Sequence, residues 1–193
     1  MTATEPERGA RRPRRAGRTT RRARAGEPAL PRCPIAPGRL AILLYAIAGI
    51  VFVGDRLTKL WATHSLRGRP PIDLIPGVLD LSFTTNRGGA FGLFDGVPWL
   101  FFAATAIVCV VIVYASLSLP GRLAAVGLGL VLAGAAGNLI DRLFNGGSLS
   151  GRVVDFIHLH GWPVFNVADS AIVVGAVLLV LSALVRGRSP RGG

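Results

Sequence analysis

The sequence predicts an all-α polytopic membrane protein: four transmembrane helices with a small extracytoplasmic β-sheet region. Three observations predict it. Hydrophobic residues make up 51% of the 193-residue chain and charged residues only 17%, against roughly 25% charged in soluble domains. Four long stretches are free of charge. Polar residues gather at one set of ends of those stretches, and the segments they flank carry strand and turn signals.

The chain opens with a basic arm, residues 1–37. Of the formal net charge of +12, residues 1–39 hold eleven Arg against three Glu; the remaining 154 residues hold eleven Lys and Arg against seven Asp. The arm is rich in Arg, Pro, Gly and Ala and poor in large apolar side chains, so it cannot bury enough surface to fold alone and is expected to be disordered. No aromatic residue interleaves its arginines, so base stacking is absent and no nucleic-acid partner is expected. It reads as a cytoplasmic tail that helps fix topology, with weak attraction to anionic lipid.

Residues 38–186 form the expected membrane domain. Leu40 to Gly54 is the first charge-free run, continued by Asp55-Arg56-Leu57-Thr58-Lys59-Leu60-Trp61. Val97 to Leu119 is the second, at 23 residues; Leu123 to Ile140 is the third, interrupted only by Asn138; Ala171 to Val185 is the fourth. A helix rising 1.5 Å per residue needs about 20 residues to cross the hydrocarbon core. The second run meets that alone. The others meet it when the polar residues at their ends continue the helix. Ala133-Gly134-Ala135-Ala136-Gly137 gives the third span a face of small residues on which another helix can pack closely.

With the N-terminus in the cytoplasm, fifteen basic residues fall inside and seven outside. That asymmetry places both termini, including the tail 187–193, in the cytoplasm. The connections at about 63–96 and 141–168 then face outward. In the first, Leu79, Leu81 and Phe83 alternate with Asp80, Ser82 and Thr84, which predicts a strand. Prolines precede it and glycines follow.

The notable polar residues all lie toward this outer side. Asp55 and Lys59 are i,i+4 neighbours that can pair. Asn138, Asp141 and Arg142 share a helix face. Asn166 and Asp169 fit an N-cap with an acid at N3. Asp155 is harder to explain structurally: in Val153-Val154-Asp155-Phe156-Ile157 it is flanked by apolar pairs, is expected to be partly desolvated, and has no local partner. His158 and His160, spaced i,i+2, suit two ligands on one strand face and suggest a metal site with Asp155. No H-E-x-x-H pattern accompanies them, and no metal is assigned. Ser148 and Ser150 meet no G-x-S-x-G frame. Cys33 and Cys109 make neither a disulfide framework nor a cysteine zinc site. A transporter would place its acids near the midplane, on broken helices; here they lie near one interface.

Five stretches, taken in order, carry a resemblance: Asp55-Arg56-Leu57-Thr58-Lys59, Asn86-Arg87-Gly88-Gly89-Ala90-Phe91-Gly92, Gly137-Asn138-Leu139-Ile140-Asp141-Arg142, Val153-Val154-Asp155-Phe156 and Phe165-Asn166-Val167-Ala168-Asp169-Ser170. Over about residues 40–185 the chain resembles the lipoprotein signal peptidase (signal peptidase II) family. The resemblance implies an intramembrane aspartic endopeptidase of the bacterial cell membrane that cuts diacylglyceryl-modified prolipoproteins just before the lipidated cysteine. It implies Asp155 and Asp169 as the catalytic pair. Asn86, Asn138, Arg142 and Asn166 match substrate-binding positions, and Asp55, Lys59 and Asp141 match structural ones. No cofactor and no metal are expected; the partners are prolipoprotein substrates and membrane lipids, and the protein is expected to be monomeric. Two features depart from the family pattern. The segment between Arg142 and Asp155 is longer, and Gly89 stands where Ala is more usual.

Overall fold

The structure, a computed structural model, describes residues 37–86, 98–145 and 151–187. Most of the arm, the Arg87–Gly92 half of the second motif, Ser148, Ser150 and the tail beyond Gly187 lie outside the described residues. Four helices are long and apolar enough to span a membrane. They are α1 (Pro37–Ser65), α2 (Pro98–Ala115, prolonged by a 3-10 turn at Ser116–Ser118), α3 (Arg122–Phe144) and α4 (Val167–Gly187). The polar ends do continue the helices: α1 runs through Asp55 and Lys59, and α3 through Asp141 and Arg142.

Half of the apolar window of α3 is buried, against 22% or less for each other span. It is the central helix. The outward faces of the others carry large apolar residues such as Ile42, Ile50, Val110, Val173 and Val177, all more than half exposed. In a bilayer these meet lipid, which costs nothing; in water they would not be tolerated.

The small-residue face of α3 performs close packing. A Cβ on Gly134 would overlap the Ala168 carbonyl and lie 2.7 Å from Ile172 Cγ1, so the α3 backbone can lie against the backbone and side chains of the first turns of α4 because residue 134 has no side chain. Gly134→Val therefore pushes apart the two helices that carry Asn138 and Asp169, at a cost of about 1–3 kcal/mol for overpacking. Gly49→Val, where a Cβ meets nothing within 4 Å, is the matched control. Thermal unfolding in detergent should show a lower midpoint for the first and little change for the second.

The sheet has three antiparallel strands in the order β1 (Ile72–Ile75), β2 (Leu79–Asn86) and β3 (Val153–Leu159). The alternation at 79–84 is realised as β2. Between β1 and β2, Val78 N donates to Ile75 O at 2.9 Å across Pro76-Gly77. Proline suits the second position of such a turn and Gly77, at φ +72°, the third. Because β2 follows α1 and β3 follows α3, their pairing fixes both long connections on one side of the bundle. There Phe156 of β3 packs with Ala62 and Leu66 at the end of α1 and meets Trp61 edge to face at 6.3 Å. A second cluster, Leu40, Leu44, Ile112 and Ala125, closes the other end of the bundle.

Candidate active site

Lys59 anchors a buried polar centre where α1, α3 and α4 meet the sheet. Its Nζ lies 2.9 Å from Asp55 Oδ2 and 3.0 Å from Asp141 Oδ2, and donates to Asn138 Oδ1 at 3.0 Å. All three charged side chains are at most 1% exposed. One ammonium with three donors thus serves two carboxylates and an amide. Arg56 supplies a second cation to Asp141 through Oδ1. Asp55 Oδ1 accepts the Ala168 N–H at 3.0 Å, so a carboxylate on α1 receives one of the open donors at the N-terminus of α4. Asp141 Oδ2 also accepts from Val154 N at 3.3 Å, tying α3 to β3.

Asn166 and Asp169 make the expected cap. Asp169 N donates to Asn166 Oδ1 at 2.9 Å, and Asn166 N donates to Asp169 Oδ2 at 3.3 Å. These reciprocal bonds satisfy donors on both sides of the helix start. The cap also orients Asp169, whose other oxygen accepts from Asn138 Nδ2 at 2.8 Å.

Asp155 reaches the same place from the sheet. After β3 the chain doubles back: Phe165 N donates to Ile157 O, and Ile157 N to Phe165 O, each at 2.9 Å. That return brings Asn166 beside Asp155, and Asn166 Nδ2 donates to Asp155 Oδ1 at 2.6 Å. The partner of Asp155 that local sequence could not supply is an asparagine eleven residues on. Asn86, at the end of β2, hydrogen-bonds it as well.

Asp155 is 3% exposed, as its apolar flanks predict. Burial, followed by the neighbouring charge of Asp169, pushes its carboxyl up from 3.8 to about 7; the Asn166 and Asn86 hydrogen bonds and the Lys59 charge hold the rise in check. Asp169 is half-buried. The two carboxyls, with Asn86, Asn138, Arg142, Val153 and Trp162 to Phe165, line one cavity of about 190 Å³. Arg142 lies with its guanidinium 5.9 Å from the Phe101 ring and donates to Asn138 O at 3.2 Å. Beside the end of α3, Gly151 N donates to Arg142 O at 3.2 Å and Arg152 N to Asn145 O at 2.9 Å.

The structure thus gathers Asn86, Asn138, Arg142, Asp155 and Asp169 around the cavity, with Asn166 behind them and Asp55, Lys59 and Asp141 in the supporting centre. It does not bring His158 and His160 to Asp155. They face Asp80 of β2 instead. Strand parity carried that signal: His158 is three residues from Asp155, an odd separation, which puts the two on opposite faces. Trp162, which walls the cavity, was not singled out by sequence, and Phe165 entered only within the fifth stretch, with no role given to it; tertiary position alone shows what they do. A buried carboxyl kept near half protonation beside a second carboxyl can both give and take a proton at neutral pH.

The signal peptidase (SPase) II family profile matches residues 47–185. A lipoprotein signal peptidase of Rhodococcus jostii (strain RHA1) is 43% identical over 152 residues, covering 78% of this chain and 76% of that protein. Another, from Syntrophomonas wolfei, is 44% identical over 140 residues, covering 72% of this chain and 91% of its own length. Among solved structures, a bacterial membrane enzyme determined by the in meso method at 2.3 Å superposes with a TM-score of 0.68 at 29% identity, over 79% of this chain and 93% of that one.

Proposed function

The chain belongs to the signal peptidase II family, and from that premise we propose that it is an intramembrane aspartic endopeptidase of the bacterial cell membrane. Its substrates are prolipoproteins whose cysteine already carries diacylglyceryl, and it cuts the peptide bond just before that cysteine. The observation that supports this most is the convergence of Asp155 and Asp169, from different elements, on one cavity.

Asp155 and Asp169 are the catalytic pair. Two neighbouring carboxyls cannot both ionise easily, so they share one proton, and burial biases that proton toward Asp155. Water attacks the scissile carbonyl while Asp169 takes its proton. Asp155 gives its own to the carbonyl oxygen, forming a tetrahedral diol. As the C–N bond breaks, the amine takes the proton held by Asp169, and the re-forming carbonyl returns the other to Asp155. The sum is one peptide bond and one water consumed, and the pair is restored.

Asn138 and Asn166 hold both carboxylates through the bonds described above, and with Asn86 and Arg142 they form the polar wall along which the substrate backbone lies. Holding the carbonyl at a fixed distance from both acids supplies much of the rate. Asp55, Lys59 and Asp141 keep the helices in register beneath the site. Both termini lie in the cytoplasm and the cavity opens toward the extracytoplasmic interface, as the basic-residue asymmetry supports.

The lipid sets the specificity. Two acyl chains bury at about 0.8 kcal/mol per CH₂ and fix the depth of the cysteine in the bilayer. The bond before it then sits at the interface, beside Asp155 and Asp169. Reconstituted in liposomes, the enzyme should cleave a diacylglyceryl-modified precursor at least 10-fold faster than the same precursor with a free cysteine, since anchoring raises effective concentration by orders of magnitude. Equal rates would refute this reading of specificity.

A further inference from the structure

The far end of the sheet carries a second cluster with its own chemistry. Asp80 of β2 stands opposite His158 of β3 in register. His160 follows β3 and is fixed by its backbone, His160 N donating to Val78 O at 2.9 Å. Asp80 Oδ2 lies 2.9 Å from His158 Nδ1 and 3.8 Å from His160 Nδ1. The two imidazoles lie side by side, centroids 4.8 Å apart and tilted by 33°. One donor atom from each residue falls within 4.8 Å of the others.

An ordinary ion pair accounts for half of this. It leaves Asp80 unexplained: the residue is 5% exposed, and its Oδ1 is buried with no hydrogen-bond partner among the described residues. A buried carboxylate with an unsatisfied oxygen is costly. Asp73, its register partner on β1, adds a second negative charge on the same face and makes the site more attractive to a cation. The imidazoles are a third to a half exposed, so an ion can reach them and they can turn toward it.

We propose that Asp80, His158 and His160 form a zinc site that clamps β2 to β3. Two imidazole nitrogens and one carboxylate oxygen are an established donor set for Zn²⁺, with bonds of about 2.0–2.2 Å and a fourth position left to water. A tetrahedral ion with bonds of that length sets its donors about 3.3–3.6 Å apart; rotation of the exposed imidazoles draws the three donor atoms, now within 4.8 Å of one another, to that spacing. The site stands apart from Asp155, on the opposite face of β3, and takes no part in peptide cleavage. Its role is to hold the sheet end from which the chain turns back toward Asn166.

The test is zinc titration by calorimetry on the full-length, tag-free protein in detergent after chelator treatment, with metal content measured after dialysis. One zinc per chain is expected. His158→Gln and His160→Gln should each weaken binding at least 10-fold. His64→Gln, which changes the one other histidine of the chain, and Asp155→Asn should leave it intact. Zinc should raise the thermal midpoint of the wild type and not of the double histidine variant. Both histidines are partly exposed, so the variants fold even where Asp80→Asn does not. Zinc uptake no better than that of the double variant, or binding that survives the loss of either histidine, overturns the proposal.

Discussion

Asp155→Asn and Asp169→Asn should each lower cleavage of a diacylglyceryl-modified precursor by roughly 10³-fold or more, while the protein remains folded and in the membrane. Asparagine keeps the size of the side chain and an acceptor oxygen, so the bonds from Asn166 Nδ2 and Asn138 Nδ2 persist. What it lacks is a carboxyl that can give up or take on a proton near neutral pH, and general acid and general base contributions are each worth about 10²–10⁴. The two variants differ in stability. The fold penalises an ionised Asp155, whose carboxyl is raised from 3.8 to about 7. Wild type therefore loses stability as pH climbs through that window, and the full penalty stands above about 7. Asp155→Asn removes it, so at about pH 8 the variant should be more stable by roughly 2–4 kcal/mol, with the difference closing toward pH 4. Asp169→Asn should instead lose about 1–2 kcal/mol, because it removes a negative charge from a helix N-terminus and turns an amide nitrogen toward the Asn166 N–H that Asp169 Oδ2 accepts. Thermal midpoints across pH separate the two. An inactive but stabilised Asp155→Asn is the signature of a carboxyl held in place for chemistry.

Lys59→Met has the largest expected effect on the fold. It strands the carboxylates of Asp55 and Asp141, which are at most 1% exposed. Removing one partner of a buried charge pair costs about 3–5 kcal/mol, because the other charge stays buried without compensation. Arg56 still serves one oxygen of Asp141, but nothing replaces Lys59 at Asp55. For a chain of this size that loss lowers the thermal midpoint by roughly 10 °C or more. Lys59→Arg should not rescue it, since a planar guanidinium cannot present three convergent donors to Asp55, Asp141 and Asn138. Lys59→Met combined with Asp55→Asn should recover part of the loss, because no bare charge is left at residue 55. A midpoint within about 2 °C of wild type in the single variant would show that the triad is not what holds α1, α3 and α4 together.

How far the sequence could be read follows from which interactions are local. The four spans were legible because charge-free length is a property of the chain itself. Their extension through Asp55, Lys59, Asp141 and Arg142 was legible from helical spacing, and so was the Asn166–Asp169 cap, which is contained within four residues. The Asp55–Lys59 pair was legible; its third member, Asp141, and the second cation, Arg56, were not, because α3 meets α1 only in the folded bundle. β1 gave no signal: its four residues are all exposed and sit between prolines. β3 was hidden by its burial, which replaces alternation with a near-continuous apolar run. Asp155 stood out because an acid among apolar residues needs a reason, but its partner Asn166 arrives only when the chain doubles back at Phe165. Asp80 read as the polar half of an alternating strand. Its meeting with His158 depends on register, and that register is shifted by an irregularity between Leu81 and Thr84.

In the proposed mechanism one proton shared by Asp155 and Asp169 drives hydrolysis, and infrared titration of the detergent-solubilised enzyme, run beside its cleavage rate, reads that proton. The expected result is a protonated-carboxyl stretch that is missing from Asp155→Asn, that disappears with a midpoint near 7, and whose loss is matched by falling cleavage as pH rises. Full cleavage at a pH where Asp155 is wholly ionised, or no protonated carboxyl assignable to it above about pH 5, would contradict it.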